Sequence, residues 1–352
     1  MTVQPTLSIL IVSYNVRGYL DRCLASLYGH EQGVDFEVIV VDNASSDDSV
    51  AHLRAEWPQV RVVENRVNVG FPQGNNQALA QASGRYVLYL NPDTEVGADT
   101  LRVCVATLES DPSIGMVGCR LLYPDGGIQY ECARSAYRLG DLAIESLYLH
   151  RFFPSHPVFG RQILGDWDHR TSRDVEGISG AFMMLPRWLA EELGGMATEV
   201  FAYHEDMDLA LRVRQRGLRV RYVAEVTTVH HTSRSSIGRW LDPGWALLEL
   251  ETNSRLIRQL QGAPAAAAAR ALYFARALTR LAVAAVGAVV PGRARLREKY
   301  PTVFSARRHA LQAAWALSPR LVAHRVPRAP RLEDVPAPIV HAPRVDPRDA
   351  RR

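Results

Sequence analysis

The chain has 352 residues, of which 47% are hydrophobic and 22% charged, with 24 glycines and 20 prolines. This composition is typical of a globular protein and excludes the disordered, collagen-like and disulfide-scaffold classes. Residues 255–352 contain 19 basic and 5 acidic residues, a charge of +14, so the overall +4 leaves −10 for residues 1–254. A basic C-terminal region of this kind indicates a polyanionic surface as its partner.

The four cysteines, Cys23, Cys104, Cys119 and Cys132, are widely spaced and form no Cys-x-x-Cys pair. This pattern predicts buried free thiols rather than a zinc site or a redox-active pair. The first 15 residues lack the basic region and the small-residue cleavage site of a signal peptide. No signal peptide is therefore predicted.

Short apolar runs alternate with helical patterns along the first 122 residues. We predict strands at 7–14, 36–43, 60–65, 85–91 and 114–122, and helices at 17–29, from Ser45 or Ser46, at 74–82 and at 97–108. This alternation predicts an α/β fold with a mostly parallel central sheet flanked by helices. In such sheets, ligands bind beyond the carboxyl ends of the strands.

The pattern weakens over residues 123–175, which we expect to form a loop-rich insertion that carries specificity. Regular elements return with a strand at 179–186, a helix that follows it, a second helix ending near residue 217 and strand-like alternation over 218–233.

Beyond residue 244 the chain reads as helices rich in alanine and edged by Arg270, Arg276 and Arg280. The uninterrupted apolar part, 281–290, is too short to span a bilayer, which needs about 20 residues. The basic flanks favour a helix lying in a membrane interface, and packing against the rest of the protein is the alternative. The stretch from Ser318 onward is rich in proline and arginine and is predicted to be disordered.

Polar clusters follow the predicted strands. Asp42 and Asn43 end the second strand, where a carboxylate can accept hydrogen bonds from a nucleobase or a ribose, although both residue types also cap helices. The segment NVGFPQGNN (68–76) places two glycines before a helix, an arrangement that suits an anion such as a diphosphate. It matches neither the dinucleotide fingerprint nor the Walker loop.

Three further clusters carry acidic or imidazole side chains. Asp93, just after a buried strand, could hold Mg2+ or Mn2+ against a diphosphate, but taken alone the Asn-Pro-Asp sequence favours a β-turn. Glu205, Asp206 and Asp208 crowd a helix start, which suits either a general base or simple dipole stabilisation. His230 follows a strand and could join a carboxylate on a metal, although a lone histidine is more often structural.

The order of these segments resembles that of the family 2 glycosyltransferases with the GT-A fold, the fold of nucleotide-diphospho-sugar transferases. Within that family it is similar to the bacterial rhamnosyltransferase-like branch. The resemblance covers roughly residues 6–240 and rests on the motifs SYN, VDNASSDDS, NVGFPQGNN, LNPD, SGAFMMLPR, EDMDLALR and VHHTSRSS. It implies a catalytic domain over 1–244, with a nucleotide-sugar half to about 122 and an acceptor half over 123–244, a helical and possibly membrane-associating extension over 245–317 and a disordered tail over 318–352.

The resemblance also implies roles for individual residues. The nucleotide-sugar site would comprise Ser13, Tyr14, Asn15, Asp42, Asn43, Gly70, Gly74, Asn75 and Asn91. Asp93 and His230 would hold the metal, with Asp93 the remaining acid of a reduced DxD motif that begins at Asn91. Asp206 would be the general base, paired with Glu205 as the second catalytic acid. The acceptor would contact Gly180, Ala181 and Asp208.

The reaction implied by the resemblance is inverting transfer of a sugar, with rhamnose from dTDP-rhamnose as the first candidate. The acceptor would be a hydroxyl of a cell-envelope glycan or of a saccharide on a polyprenyl diphosphate carrier, and the cofactor would be Mg2+ or Mn2+. The resemblance and the basic C-terminus place the protein in the cytoplasm, peripheral on the inner face of the cell membrane, with no nucleic acid as partner and with a homo-oligomer allowed.

Two rival functions remain at this point. One is transfer from a UDP-sugar such as UDP-galactose or UDP-N-acetylglucosamine, and the other is a non-catalytic scaffold that binds a sugar nucleotide. A processive polymer synthase is disfavoured because the sequence has no transmembrane span and no QxxRW motif. SIGRW (236–240) keeps only the Arg-Trp of that motif.

Overall fold

A computed structural model of the chain describes residues 4–30, 32–199, 204–231, 243–289, 305–328, 330 and 332–343. The chain divides into two compact units. The sheet unit comprises residues 1–135, 167–235 and 329–352, and the helical unit comprises residues 136–166 and 236–328. The predicted boundaries at 122 and 244 do not coincide with this division, because residues 136–166 belong to the helical unit. The segment SIGRW lies outside the described residues.

The strands of the described chain all belong to the sheet unit. They are β1 (Leu7–Ser13), β2 (Phe36–Asp42), β3 (Arg61–Glu64), β4 (Tyr86–Leu90), β5 (Thr94–Val96), β6 (Ile114–Leu122), β7 (Ala133–Arg134), β8 (Arg173–Val175), β9 (Gly177–Ile178), β10 (Phe182–Pro186), β11 (Arg219–His230) and β12 (Ile339–His341).

The α-helices are divided between the two units. Those of the sheet unit are α1 (Arg17–Tyr28), α2 (Ser49–Glu56), α3 (Phe71–Leu79), α4 (Thr100–Ser110), α7 (Arg187–Glu192) and α8 (Glu205–Gln215). Those of the helical unit are α5 (Leu139–Ser146), α6 (Leu149–Phe152), α9 (Pro243–Val289) and α10 (Ala306–Leu317).

The central sheet has the strand order β12-β3-β2-β1-β4-β10-β6-β11-β5. Its first half is parallel over β3, β2, β1 and β4, and the side chains of β1 and β4 are buried throughout. This burial on both faces explains the continuous apolar runs in the sequence. Because Ser13 pairs with Asp42 and Asp42 with Glu64, the carboxyl ends of these strands meet at one edge. The predicted mostly parallel α/β sheet is confirmed.

The second half of the sheet is mixed. β10 runs antiparallel between β4 and β6, and β11 runs parallel to β6. The end of β11 pairs with the short strand β5, so that His230 lies opposite Thr94. This pairing brings the last residues of β11 beside the turn that contains Asp93.

The strand β12 completes the far edge of the sheet within a region predicted to be disordered. Residues 339–341 pair antiparallel with β3, and His341 Nε2 lies 2.9 Å from Glu64 Oε2. Residues Pro319–Arg325 form a short 3-10 helix. Two β-branched residues, Ile339 and Val340, can add a strand to an open edge despite the surrounding prolines, so the described part of the tail is ordered where the composition predicted otherwise.

The helical unit is built around α9, which bends at Gly262 with φ of 85° and ψ of 178°. The α10 helix packs on α9, and Arg270 of α9 donates hydrogen bonds to the carbonyl oxygens of Ala316 and Leu317 at the end of α10. In the described part of the chain, none of the helices combines the length and apolarity needed to cross a bilayer.

Candidate active site

The predicted nucleotide pocket contains polar atoms that are buried and have no partner among the described residues. They are Ser13 Oγ, Asp42 Oδ2 and Asn75 Oδ1. Asp42 is 1% exposed, and burial raises the pKa of its carboxyl although Oδ1 accepts the Ser45 N–H at 2.9 Å. Buried polar atoms in native proteins nearly always have partners. Three unpartnered atoms at this edge of the sheet are therefore consistent with a ligand that donates hydrogen bonds.

The glycine-rich segment after β3 is tied to the end of β2. Asn43 donates from Nδ2 to the Gly70 carbonyl oxygen at 3.2 Å and accepts at Oδ1 from Asn65 at 2.9 Å. Gly70 has φ of 85°, a conformation that favours glycine. A Cβ on Gly74 would lie 3.0 Å from both methyl carbons of Val12. Asn43 therefore shapes the loop, in which the positive φ favours glycine at 70 and close packing on Val12 favours it at 74.

Tyr14 and Asn15 lie on the loop after β1, and Asn15 bonds to the segment that precedes α2. Asn15, with φ of 54°, accepts at Oδ1 from the Ser46 N–H at 2.7 Å, and its own N–H donates to Ser45 Oγ at 3.0 Å. Tyr14 is half-buried. Because Ser45 and Ser46 bond to this loop, α2 begins at Ser49, and the prediction that either serine caps the helix is wrong.

Asp93 and His230 lie together at the end of β11. His230 Nε2 is 3.4 Å from Asp93 Oδ1 and 3.4 Å from Asn91 Nδ2. The Asp93 carbonyl oxygen accepts the His231 N–H at 2.8 Å, which fixes the turn, and the Asp93 side chain is 8% exposed. Among the described residues, no group of three or more His, Cys, Asp or Glu side chains is placed to hold a metal ion.

Asp93 and His230 nevertheless fit a divalent cation whose remaining ligands are diphosphate oxygens and waters. Hard cations in nucleotide sites use one or two protein ligands, phosphate oxygens and waters. A carboxylate oxygen and an imidazole nitrogen that face each other beyond the usual hydrogen-bond distance of about 2.7–3.2 Å leave a place for a positively charged group between them. Asp93 and His230 supply the donor types that Mg2+ and Mn2+ accept.

Asp206 lies at the start of α8 and is held by two donors from elsewhere in the sheet unit. Its Oδ2 accepts from Arg134 Nη2 at 2.7 Å and from the Gly180 N–H at 3.1 Å. The Asp206 side chain is 11% exposed and that of Arg134 is 19% exposed. A buried carboxylate that is paired and hydrogen-bonded in this way has a fixed orientation.

The neighbours of Asp206 have strongly perturbed acidity. Burial and the charge of Asp206 raise the pKa of Glu205 to about 8, and its Oε2 has no partner among the described residues. Burial and the charge of Arg134 lower the pKa of His204 to about 4. His204 precedes the helix with φ of 63°. Such shifts in a cluster of this kind mark candidate functional sites.

Asp208, predicted to contact an acceptor, is engaged within its own helix. It pairs with Arg212 at 2.8 Å, and Arg212 also donates to the carbonyl oxygens of Leu193 and Gly195. This geometry favours a structural role, in which Asp208 orients the arginine that joins α8 to the loop after α7.

Gly180 and Ala181 connect the Asp93 cluster to the Asp206 cluster. The Ala181 carbonyl oxygen accepts the Asn91 N–H at 3.1 Å, and the adjacent Gly180 N–H donates to Asp206. A Cβ on Gly180 would lie 3.4 Å from Asp206 Cβ. The two acidic sites are therefore bridged by two consecutive residues at the same edge of the sheet.

Part of the chain matches a known protein family. Residues 8–164 match the family model described as "Glycosyl transferase family 2". This match places residues 8–164 in the family 2 glycosyltransferases. The match contains the loops that carry Asp42, Gly70 and Asp93, and the observed sheet is that of the GT-A fold.

Two curated relatives and one solved structure resemble this family 2 glycosyltransferase. The O-antigen biosynthesis protein RfbC of Myxococcus xanthus is 29% identical over 66% of this chain and 18% of its own length. The N-acetylglucosaminyl-diphospho-decaprenol L-rhamnosyltransferase of Mycobacterium tuberculosis is 27% identical over 65% of this chain and 77% of its own. The mannosyltransferase PcManGT from Pyrobaculum calidifontis, in complex with GDP-Man and Mn2+, aligns with a TM-score of 0.53 and 20% identity, over 91% of this chain and 89% of that one.

The sequence analysis did not predict two residues that contact the candidate site. Arg134 contacts Asp206 from 72 positions away, and Gln129 contacts His230 from 101 positions away. Both lie in the stretch 123–175, where no period or motif marks individual residues. Gln129 and Arg134, which lies in the two-residue strand β7, carry no local sequence signal, so only the fold could reveal these contacts.

Proposed function

We propose that this glycosyltransferase transfers a sugar, with inversion, from a nucleoside diphosphate to a hydroxyl of a cell-envelope glycan or a lipid-linked saccharide. The first candidate donor is dTDP-rhamnose. This choice is supported by the Mycobacterium tuberculosis relative, whose name specifies L-rhamnosyl transfer and a diphospho-decaprenol-linked sugar. The observation that carries the proposal is that Ala181 bonds to Asn91, two residues before Asp93, while the adjacent Gly180 bonds to Asp206.

The donor nucleotide would bind at the ends of β1 and β2. Hydroxyl and N–H groups of a ribose and a base would supply hydrogen bonds to Ser13 Oγ, Asp42 Oδ2 and Asn75 Oδ1, which have no partner among the described residues. The segment from Gly70 to Gly74 would lie under the sugar nucleotide, with Tyr14 and Asn15 on the opposite side of the same edge. Ser13 and Asp42 are paired residues of β1 and β2, so the sheet register fixes their relative position.

The leaving group would be held at Asp93 and His230. A divalent cation, Mg2+ or Mn2+, supplies charge stabilisation to the departing diphosphate when it is bound there. Asn91 lies beside both ligands, 3.4 Å from His230 Nε2, and its amide can orient a phosphate oxygen. The Mn2+ named with the structurally similar mannosyltransferase supports this assignment.

Asp206 would act as the general base. Its carboxylate accepts the proton of the acceptor hydroxyl while that oxygen forms a bond to the anomeric carbon. The bond from the anomeric carbon to the diphosphate oxygen breaks on the opposite face, which inverts the configuration. Arg134 and the Gly180 N–H hold one carboxylate oxygen, so the group keeps one orientation. Gly180 and Ala181 would line the acceptor side, because a larger side chain at 180 would approach Asp206.

Replacing Asp206 by asparagine tests the base. Asp206→Asn should reduce transfer at least about 100-fold, the lower end of the contribution of a general base, while nucleotide-sugar binding stays within a few-fold of wild type. Transfer can be followed as release of nucleoside diphosphate, and binding by calorimetry.

The matched control is Asp99→Asn, since Asp99 is exposed and carries only the i,i+3 pair with Arg102. Near-normal turnover in Asp206→Asn would remove Asp206 from the role of base. Absence of turnover in the wild-type protein with any donor would favour the non-catalytic scaffold.

The donor can be identified by thermal stabilisation with a panel of nucleotide sugars, because a ligand that binds only the folded protein raises its melting temperature. We expect dTDP-rhamnose in the presence of Mn2+ to give the largest shift. A larger shift with UDP-galactose or UDP-N-acetylglucosamine would replace rhamnose by that sugar.

A further inference from the structure

The Gln129 side chain hydrogen-bonds to His230 on the side of the ring opposite Asp93. The Gln129 side chain is 4% exposed and lies between β6 and the end of β11. Its Nε2 donates to the carbonyl oxygens of Leu122 at 3.1 Å and of His230 at 2.7 Å. Its Oε1 lies 3.0 Å from His230 Nδ1. One amide therefore contacts both the backbone and the ring of the same histidine.

The two carbonyl contacts fix the orientation of the amide. An amide nitrogen has two hydrogens, and both are used on carbonyl oxygens here. The reversed amide would place an oxygen against two other oxygens, an arrangement without a hydrogen to share. Oε1 therefore faces the imidazole, and because Oε1 can only accept, Nδ1 of His230 carries a hydrogen.

This assignment decides what the other ring nitrogen can do. With the hydrogen on Nδ1, the lone pair of a neutral imidazole is on Nε2, the nitrogen that faces Asp93 Oδ1 at 3.4 Å. Asn91 Nδ2 lies 3.4 Å from the same Nε2, at the long limit of a hydrogen bond. A cation bound by both Nε2 and the Asp93 carboxylate would satisfy this lone pair more strongly. Histidine ligands of metals generally donate their second N–H to a neighbouring acceptor, which fixes tautomer and ring orientation.

We propose that Gln129 is the positioning residue of the metal site, which presents Nε2 of His230 to a divalent cation held together with Asp93. This inference rests on the proposed metal role of Asp93 and His230 and goes beyond it, because it assigns the selection of the ligating nitrogen to one buried amide. Gln129 itself does not touch the cation or the donor.

The test uses two substitutions that distinguish the role of the Gln129 side-chain oxygen as an acceptor from the role of the side chain's size. Gln129→Met keeps a long side chain and removes the acceptor, whereas Gln129→Glu keeps an acceptor for Nδ1–H and removes the donors to the carbonyl oxygens. Mn2+ binding is measured by electron paramagnetic resonance on the full chain, with UDP and with dTDP present. We expect Gln129→Met to weaken Mn2+ binding about 10- to 100-fold. Gln129→Glu keeps the acceptor for Nδ1–H but sets its second oxygen against two carbonyl oxygens, so we expect it to bind Mn2+ more tightly than Gln129→Met and more weakly than wild type.

A second glutamine–histidine pair in the same chain provides the control. Gln312 Oε1 lies 3.0 Å from His309 Nδ1 in the helical unit, and both side chains are buried. Gln312→Met removes the same kind of contact and should lower the melting temperature without changing Mn2+ affinity. Unchanged Mn2+ affinity in folded Gln129→Met, or loss in Gln129→Glu as complete as in Asp93→Asn, would overturn the role of Gln129. Failure of the wild-type protein to bind Mn2+ with either nucleotide would instead overturn the proposed metal site.

Discussion

At the scale of single residues, the sequence predicted the acidic side chains of the candidate site but not the side chains that orient them. Asp42, Asp93 and Asp206 were predicted because each stands next to the end of a strand or the start of a helix. Arg134 and Gln129 contact these sites only through the tertiary fold. The assignments of function to the acids stay predictions, and the structure adds the hydrogen bonds that fix their geometry.

His204 and Glu205 should make the free energy of unfolding depend on pH, with a net effect between pH 6.5 and 8. Glu205 is protonated up to about pH 8 in the folded state but only up to about pH 4.5 in the unfolded state. Its contribution to the free energy of unfolding is therefore complete below pH 4.5 and is lost as the pH rises through 8. The contribution of His204 is present above 6.5 and is lost as the pH falls toward 4. Between pH 4.5 and 6.5 the two residues change the free energy of unfolding in opposite directions.

We therefore expect the free energy of unfolding to fall between pH 6.5 and 8, by about 1.4 kcal/mol per pH unit for one proton. Glu205→Gln should flatten the profile in this window, as measured by urea unfolding at several pH values. The exposed Glu56→Gln serves as control and should follow the wild-type profile. A profile of Glu205→Gln that parallels wild type would show that the Glu205 carboxyl does not keep its proton in the folded state.

At the scale of elements, strands were predicted better than helix ends and loops. The runs at 7–14, 36–43, 85–91 and 114–122 are strands within two residues of their predicted bounds, because buried parallel strands need continuous apolar sequence. The start of α2 was misplaced because Ser45 and Ser46 bond to Asn15, a contact 30 or more positions away. Capping preferences read from the local sequence cannot reveal a distant partner such as Asn15.

The arginines expected to face a membrane are engaged inside the helical unit. Arg270 bonds to the end of α10, Arg276 Nη1 lies 3.7 Å from Glu145 Oε2, and Arg280 donates to the Tyr148 hydroxyl at 3.1 Å. These contacts support the alternative in which this part of α9 packs on other helices. Membrane contact and the cellular location stay predictions.

Removal of Arg270 should destabilise the junction of α9 and α10. Its guanidinium donates to two terminal carbonyl oxygens that a helix end leaves without intrahelical partners. Arg270→Ala should cost about 1.5–3 kcal/mol, the range for hydrogen bonds from a charged group. Thermal unfolding followed by circular dichroism measures the change. Arg307→Ala, an exposed arginine on α10, is the control, and equal melting temperatures for the two variants would contradict the capping role.

At the scale of the whole molecule, the interior isolates all four thiols. Cys23, Cys104, Cys119 and Cys132 are free and buried, as the spacing in the sequence predicted. Burial raises the pKa of Cys23 and of Cys119 to about 12, so the reactive thiolate form is scarce at neutral pH.

We expect a disulfide reagent such as dithionitrobenzoate to label no cysteine of the native protein in the time that labels all four in guanidinium. The absorbance of the released thiolate gives the count. Ser110→Cys, at an exposed position near the end of α4, is the positive control and should add one fast-reacting thiol. Rapid labelling of any native cysteine would mean that the core opens locally far more often than this packing implies.

The pairing of β12 with β3 has a consequence for how the protein is made. The free edge of β3 is covered by residues 339–341, and His341 contacts Glu64 across 277 positions of sequence. During synthesis on the ribosome, β3 is made long before residues 339–341. Until these residues pair with it, β3 presents an open row of backbone donors and acceptors to other chains.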